Sequence, residues 1–271
     1  MARRWFALVL ALLCLLAGCD AGEPAWSDPV PPNKYDSDAF AVVDGFLSYG
    51  AGLSLVGVDV STYQGEVDWQ QAAQAGVQFA MIRAGYRGYT EGALFEDEQF
   101  RRNMEGALAA GLEVGVYFFS QAVSEGEAVD EARFTLELIR DYDITYPVVF
   151  DWEKQDKENS RTKDTDGATM TACTIAFCEV IEEAGYLPMV YFSPSKGYNE
   201  LDLEQLLRWP FWLAHYTPDW QFTSFKYDFA MWQYEDDGQV PGIEGKVDLN
   251  ICLTDFSKWK SPLETSELEN E

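Results

Sequence analysis

Pro147-Val148-Val149-Phe150-Asp151-Trp152-Glu153 is an apolar, β-branched run that ends in two acids one residue apart. Side chains alternate across a strand, so Asp151 and Glu153 share a face with Cα atoms roughly 6.5–7 Å apart, and Trp152 points the other way. Two carboxyl groups at this range suit cleavage of a glycosidic bond, in which one acid protonates the leaving oxygen while a second group steadies the cationic sugar. The plainer alternative is an acidic loop that follows a strand, since Asp and Glu are common at solvated strand ends. The sequence around the run decides between them.

Similar apolar, β-branched or aromatic runs recur at Val56–Val60, Phe79–Ala84, Glu113–Phe119, Pro188–Phe192, Phe211–His215, Phe229–Gln233 and Val247–Ile251. With Pro147–Phe150 they make eight candidate strands. Helix-like stretches at Trp69–Ala75, Phe95–Ala110, Glu125–Arg140 and Gly167–Ala184 separate the first five, with Gly76, Gly111 and Gly185 near their ends. Alternating strand and helix implies parallel strands with right-handed crossovers. The last three runs are joined by short stretches holding Pro218, Trp220, Pro241 and Gly242, with little room for full helices. The expected fold class is therefore α/β: a TIM-like barrel of the (β/α)5(β)3 type, forming a single catalytic domain over residues 56–256. That length suits one barrel better than two domains.

In such barrels, functional side chains gather at the C-terminal ends of the strands. Those ends carry Asp59, Arg83, Tyr117 and Phe119, then Asp151 and Glu153. Further round come Tyr191, His215 with Tyr216, Gln233 with Tyr234, and Asp248. Acids and aromatics at most of the strand ends favour an active site over a solvated loop.

At the start of the chain, Arg3 and Arg4 precede an apolar run from Trp5 to Leu16, followed by Leu16-Ala17-Gly18-Cys19. This pattern reads as a secretory signal too short to span a membrane, and the small residues before Cys19 resemble a lipobox. Residues 1–18 are thus expected to be a lipoprotein signal peptide and Cys19 the lipidated residue. Two or more acyl chains would hold the protein stably outside the cytoplasmic membrane. Residues 19–38, with Pro24, Pro29, Pro31 and Pro32, read as a tether. Residues 39–55 include Phe40, Val42, Val43, Phe46 and Leu47 and are expected to pack on the barrel as a short helix or strand. Residues 257–271, with Glu264, Glu267, Glu269 and Glu271, form an acidic tail.

The chain has 19 basic and 46 acidic residues, a net charge of −27 that becomes −29 once Arg3 and Arg4 are removed. Phosphate backbones repel so acidic a chain, which argues against a nucleic-acid partner. Beyond the signal and Cys19, the cysteines are Cys173, Cys178 and Cys252, without the spacing of a zinc site. They read as small buried apolar groups, with a bridge to Cys252 left open. His215 is the only histidine, too few for a His-rich metal centre. No metal or cofactor is expected, and the chain is expected to act as a monomer.

A family resemblance now rests on particular strings. Asp59-Val60-Ser61-Thr62-Tyr63-Gln64-Gly65, Trp69 and Ile82-Arg83-Ala84-Gly85-Tyr86 resemble the start of glycoside hydrolase family 25, the N-acetylmuramidase lysozymes. The likeness continues through Gly115-Val116-Tyr117-Phe118-Phe119-Ser120, Asp151-Trp152-Glu153 and Tyr191-Phe192-Ser193. It ends with Trp212-Leu213-Ala214-His215-Tyr216, Met231-Trp232-Gln233-Tyr234 and Val247-Asp248-Leu249-Asn250, covering Val56 to Phe256. Each string is weak alone; their order and spacing make the match specific. The family's barrel of five β/α units and three strands agrees with the reading from periodicity.

The resemblance implies hydrolysis of the β-1,4 bond between N-acetylmuramic acid and N-acetylglucosamine in peptidoglycan glycan strands. Glu153 matches the general acid. Asp151 matches the group that steadies the oxocarbenium- or oxazolinium-like species, and it is expected to be ionised. Asp59 and Asp248 match two further acids at the ends of the first and last strands. Tyr63, Arg83, Tyr117, Phe119, Tyr191, Trp212, Tyr216, Trp232 and Gln233 are the expected substrate-binding side chains. In two places the chain departs from the family pattern. Phe118 stands where many relatives have a histidine, and His215 stands where a glutamine is common and reads as a hydrogen-bonded groove residue without acid–base duty. The long charged loop from Lys154 to Asp166 leaves tolerance of modified peptidoglycan open. A chitinase-like or other N-acetylhexosaminidase shares the D-x-E logic, and a wall-binding lipoprotein that lost turnover is the non-enzymatic alternative.

Overall fold

The alternating runs close on themselves. In the computed structural model, which describes residues 28–155 and 157–259, the strands are β1 (Phe40–Val43), β2 (Phe46–Tyr49), β3 (Leu55–Val60), β4 (Phe79–Arg87), β5 (Leu94–Glu96) and β6 (Glu113–Ser120). They continue with β7 (Val148–Trp152), β8 (Pro188–Phe192), β9 (Phe211–Ala214), β10 (Met231–Gly238) and β11 (Val247–Cys252). Five helices intervene: α1 (Trp69–Gln74), α2 (Phe100–Ala109), α3 (Glu125–Ile139), α4 (Gly167–Glu183) and α5 (Pro194–Asn199). The barrel runs β3-β4-β6-β7-β8-β9-β10-β11 and back to β3, with β5 appended to β4. One α-helix follows each of β3, β4 (after β5), β6, β7 and β8, and among the described residues only short 3-10 turns follow β9 and β11, so the (β/α)5(β)3 expectation holds.

Strand direction supplies one correction. All barrel neighbours pair in parallel except β11, which is antiparallel to both β10 and β3. Asp248 therefore lies at the start of its strand, and the reversed direction brings that start to the rim that holds the other strands' C-terminal ends. Without a helical crossover between β10 and β11, a hairpin is the short connection available, and a hairpin forces antiparallel pairing.

Two apolar layers set the height of this rim. Inside the barrel, Phe79, Met81, Val149, Met189, Met231 and Cys252 pack beneath Trp212. Outside, the opposite faces of the same strands meet the helices, through residues such as Ile82, Val116, Phe118 and Phe150 on the strands and Phe100, Ala132 and Phe177 on the helices. Helix starts follow their caps: Asp68 Oδ1 accepts from Gln71 N (3.0 Å) and Asp166 Oδ1 from Thr169 N (2.8 Å). The helix expected from Phe95 begins at Phe100 instead, because Leu94–Glu96 pairs with the end of β4 and Asp97 Oδ1 accepts from Gln99 N (2.9 Å).

The segment before the barrel is a hairpin of β1 and β2, turned by Asp44 (φ 51°) and Gly45 (φ 86°). An Asp-Gly pair supplies the two positive φ values that such a two-residue turn requires. Phe40 packs against Phe222 (4.7 Å between ring centroids), and Leu47 N donates to Tyr234 Oη (3.2 Å). The described part of the tether lies along the barrel: Asn33 N donates to Lys226 O (2.8 Å) and Tyr35 Oη to Phe229 O (2.7 Å). The signal segment, Cys19, the tether up to residue 27 and the tail from residue 260 lie outside the described residues. Cys173, Cys178 and Cys252 are buried and free.

Candidate active site

Above Trp212 the barrel interior turns polar. Strand pairing places Arg83 beside Tyr117, Phe119 beside Asp151, Asp151 beside Tyr191, Tyr191 beside Trp212, and Asp248 beside Asp59. Twelve of the thirteen expected catalytic and binding residues line one groove of about 260 Å³, joined by Ser61 and Gln64. A larger recess of about 720 Å³ opens next to it, but its carboxylates Glu66, Asp68 and Glu244 are exposed. The groove is the candidate site because Asp59 and Asp151 are buried in it and burial raises the pKa of both and of Asp248.

Asp59 and Asp248 act as a pair. Asp59 Oδ2 accepts from Gln233 Nε2 (2.8 Å) and Asn250 Nδ2 (2.7 Å), and its side chain also hydrogen-bonds that of Asp248. Burial raises the Asp59 pKa, while these three bonds pull it back. Burial first, then the charge of Asp59, pushes Asp248 up to about 10. The shared proton therefore sits on Asp248, and the two amides hold the carboxylate form of Asp59.

Asp151 departs from the expectation that it is ionised. Burial first, then the charge of Glu153, raises its pKa well above the ordinary aspartate range, favouring the neutral form in the free groove. Only 7% of Asp151 is exposed, and its Oδ1 has no hydrogen-bond partner. Arg83 lines the same groove but is committed to Asp97, with Nε and Nη2 at 2.8 and 2.7 Å from Asp97 Oδ2. No cation neutralises Asp151 by direct pairing among the described residues.

Glu153 stands one residue past β7, where the backbone is clamped. Gln121 Nε2 donates to Glu153 O (2.5 Å) and Ser120 O (2.8 Å). Thr162 Oγ1 donates to Gln121 Oε1 (3.1 Å) and accepts from Gln155 N (3.1 Å). Lys196 Nζ donates to Trp152 O (3.0 Å). Sequence reasoning missed Gln121, Thr162 and Lys196. Gln121 stands two residues past the third strand run, directly after β6, and is wholly buried, a polar residue at a strand end that the rim logic could have singled out.

Three expected residues need redefinition. Trp232 does not line the groove: the two-residue period that turns Gln233 inward turns Trp232 outward, where it packs against Phe40 and Phe222 and donates to His215 O (2.8 Å). Gln233 faces the groove with its amide already engaged, since Oε1 accepts from Tyr191 Oη (2.8 Å) and Tyr216 Oη (2.6 Å) while Nε2 serves Asp59. It organises the wall. His215 is hydrogen-bonded, with Nδ1 2.6 Å from Thr223 Oγ1, but lies outside the groove lining; burial lowers its pKa. Among the described residues, one carboxylate trio gathers closely enough to share an ion, Glu235, Asp236 and Asp237, and none of its members lines the groove.

The profile of Glycosyl hydrolases family 25 matches residues 58–243. Uncharacterized protein YegX of Escherichia coli K12 is 30% identical over 211 residues, covering 74% of this chain and 70% of that one. Lysozyme M1 of Streptomyces globisporus is 26% identical over 210 residues, covering 72% and 66%. The modular autolysin LytC of Streptococcus pneumoniae superposes with a TM-score of 0.67 at 24% identity, covering 79% of this chain. The match covers 52% of LytC, so this chain spans about half that autolysin's length. LytC has also been solved in complex with a synthetic peptidoglycan ligand. The LytC superposition speaks to the fold, and the profile match reaches across most of the barrel, from β3 into the connection between β10 and β11. The chain belongs to glycosyl hydrolases family 25 and is a glycoside hydrolase.

Proposed function

We propose that this glycoside hydrolase cuts peptidoglycan at the β-1,4 bond between N-acetylmuramic acid and N-acetylglucosamine, with Glu153 as general acid. Similarity to Lysozyme M1, and to an autolysin whose structure carries a peptidoglycan ligand, supports the substrate class. The observation that carries the mechanism is Asp151 Oδ1, buried beside Glu153 without a partner. A buried acceptor left open is costly unless a ligand completes it. The N–H of a 2-acetamido group is the donor such a sugar would bring. A donor at Oδ1 and a growing positive charge both favour the carboxylate form. Substrate binding thus moves the proton that the Asp151–Glu153 pair holds at rest from Asp151 to Glu153, leaving Asp151 an anion opposite the sugar as the bond to the leaving group breaks. Glu153, half-buried at the strand end, delivers its proton to the leaving oxygen. Asp59, kept anionic by two amides, adds negative potential across the groove, with Asp248 holding its partner proton.

The same reading places the enzyme outside the cytoplasmic membrane, anchored through lipid on Cys19. A Cys19→Ser form released into the medium would support the anchor; one still held in the membrane fraction would remove it. The test of the reaction is digestion of purified peptidoglycan, followed by borohydride reduction and mass spectrometry. Muramitol ends are expected. Glucosaminitol ends would reassign the enzyme as a glucosaminidase, and binding without cleavage would leave a wall-binding protein.

A further inference from the structure

Beyond the groove, β4 runs three residues further than its apolar run predicts and supports the short strand β5. Its pairing with β6 shifts on the way: Arg83 pairs with Tyr117, but Gly85 pairs with Phe118 and Tyr86 with Phe119. One extra β4 residue is accommodated, which is a β-bulge. In a regular strand, Arg83 and Tyr86, three residues apart, would face opposite sides. The bulge turns both toward the groove. Gly85 then faces β5 and the α3 side, where a Cβ would come within 2.4 Å of Phe95 O and 3.2 Å of the Phe118 and Phe134 rings, so the re-phasing needs glycine there.

The consequence is a row of three aromatic rings across three neighbouring strands. Phe119 lines the groove, Tyr86 is its partner in register, and Phe95 is the partner of Tyr86 on β5. The Tyr86 and Phe95 rings stack with centroids 5.2 Å apart at 24°. Arg83 Cζ lies 5.5 Å from the Tyr86 ring and 5.2 Å from the Tyr63 ring, joining the row to the groove wall. Phe95 remains 46% exposed and Tyr63 84%. Mutual packing explains one face of Phe95, not the exposure of an aromatic side chain on a sheet edge, where proteins ordinarily avoid apolar surface.

We infer that Phe95 and Tyr86 form a sugar-binding subsite continuous with the groove, taking the apolar face of a pyranose removed from the bond being cut. The inference rests on the substrate being a glycan. Aromatic side chains supply a flat apolar face for such a ring. A sugar fits better than a peptide carboxylate, because Arg83, the cation within the row, is already paired with Asp97.

Kinetics on glycan chains of two lengths, with Phe95→Ala, Phe95→Leu and Phe95→Trp, test this. On long chains, Phe95→Ala and Phe95→Leu should raise KM about three- to tenfold at unchanged kcat, the loss expected for one aromatic contact. On tetrasaccharides they should match wild type, and Phe95→Trp should restore the long-chain KM. Phe95→Leu keeps the apolar bulk, so wild-type behaviour of that variant on long chains overturns the subsite, as does an equal loss at both lengths. If the wild-type enzyme leaves peptidoglycan intact, the muramidase reading fails on its own. Binding of N-acetylglucosamine oligomers of the two lengths to the same variants, by intrinsic fluorescence, then decides the subsite. A length-dependent loss of affinity supports it, and equal affinities overturn it.

Discussion

Two buried carboxyl groups, Asp151 on β7 and Glu131 on α3, do opposite work in the same domain. Each keeps one oxygen without a hydrogen bond. Glu131 is wholly buried and paired with Arg87 (Nε–Oε1 2.6 Å), whose other nitrogens donate to Gly92 O (2.7 Å) and Glu127 O (2.8 Å). Burial still pushes Glu131 up to about 7 against the pull of Ser120 and Arg87. Asp151 has no such salt bridge, and it faces an open groove. The Arg87–Glu131 pair ties β4 to α3 and serves the fold. On the proposed reading, the unpaired acid in the groove is kept for the glycan, and the fold around it bears the cost.

The contrast breaks if activity and stability fail together. Glu153→Gln should lower kcat by about 10²–10⁴ with no change in Tm, the range for losing a general acid. Asp151→Asn should also cost at least about 10² in kcat, since it removes the anion needed opposite the cationic sugar. Its Tm should hold or rise, because a neutral amide suits a site that already favours the neutral acid. On the other side of the comparison, Arg87→Leu should destabilise the domain by about 3–5 kcal/mol, the usual result of leaving a buried charge alone. Below its unfolding transition the remaining enzyme should keep its kcat. Urea unfolding and steady-state rates on the same preparations separate the two patterns.

A pH series sharpens the comparison further. Glu131 and Asp248 both have folded pKa values above their unfolded ones, at about 7 and about 10. The native state therefore binds more protons, and the stability they contribute is complete below about pH 4 and lost as pH rises. The Glu131 part goes through about pH 7 and the Asp248 part on toward about pH 10. Asp248→Asn should flatten the alkaline part of the curve, raising Tm at pH 8 by about 1–8 °C relative to wild type. An unchanged alkaline slope would remove Asp248 as the proton holder of the Asp59 pair.

The barrel was legible because buried strands write continuous apolar runs and their spacing leaves room for helices. The rim acids were legible because strand ends are marked by a change from apolar to polar residues. Trp232 was misread where a string match overrode the two-residue period that its neighbour Gln233 obeys. Asp248 was placed on the right rim through the wrong strand direction, since periodicity carries no sign. Phe95 was taken into a helix because three residues of edge strand are too few to show a period. The ionisation of Asp151 follows from how many acids converge on one cavity, a property of closure that no local pattern records. Gln121 and Thr162 are 41 residues apart and meet only in the folded chain.

That last contact supports the smallest effect. Gln121 spends its two amide hydrogens on the carbonyls of Ser120 and Glu153, and Thr162 fixes which way the amide points. Thr162→Val removes the hydroxyl but keeps nearly the same shape. The amide should then lose orientation, and the Glu153 backbone should lose part of one hydrogen bond, worth about two- to tenfold. Because substrate does not need this bond to enter the groove, the loss should fall on kcat and leave KM unchanged. A rise in KM instead would mean that Thr162 acts by shaping the 154–166 loop against the glycan. If kcat alone falls, this loop reaches the chemistry through one hydroxyl and one amide, and changes there can alter turnover without touching the sugar-binding wall.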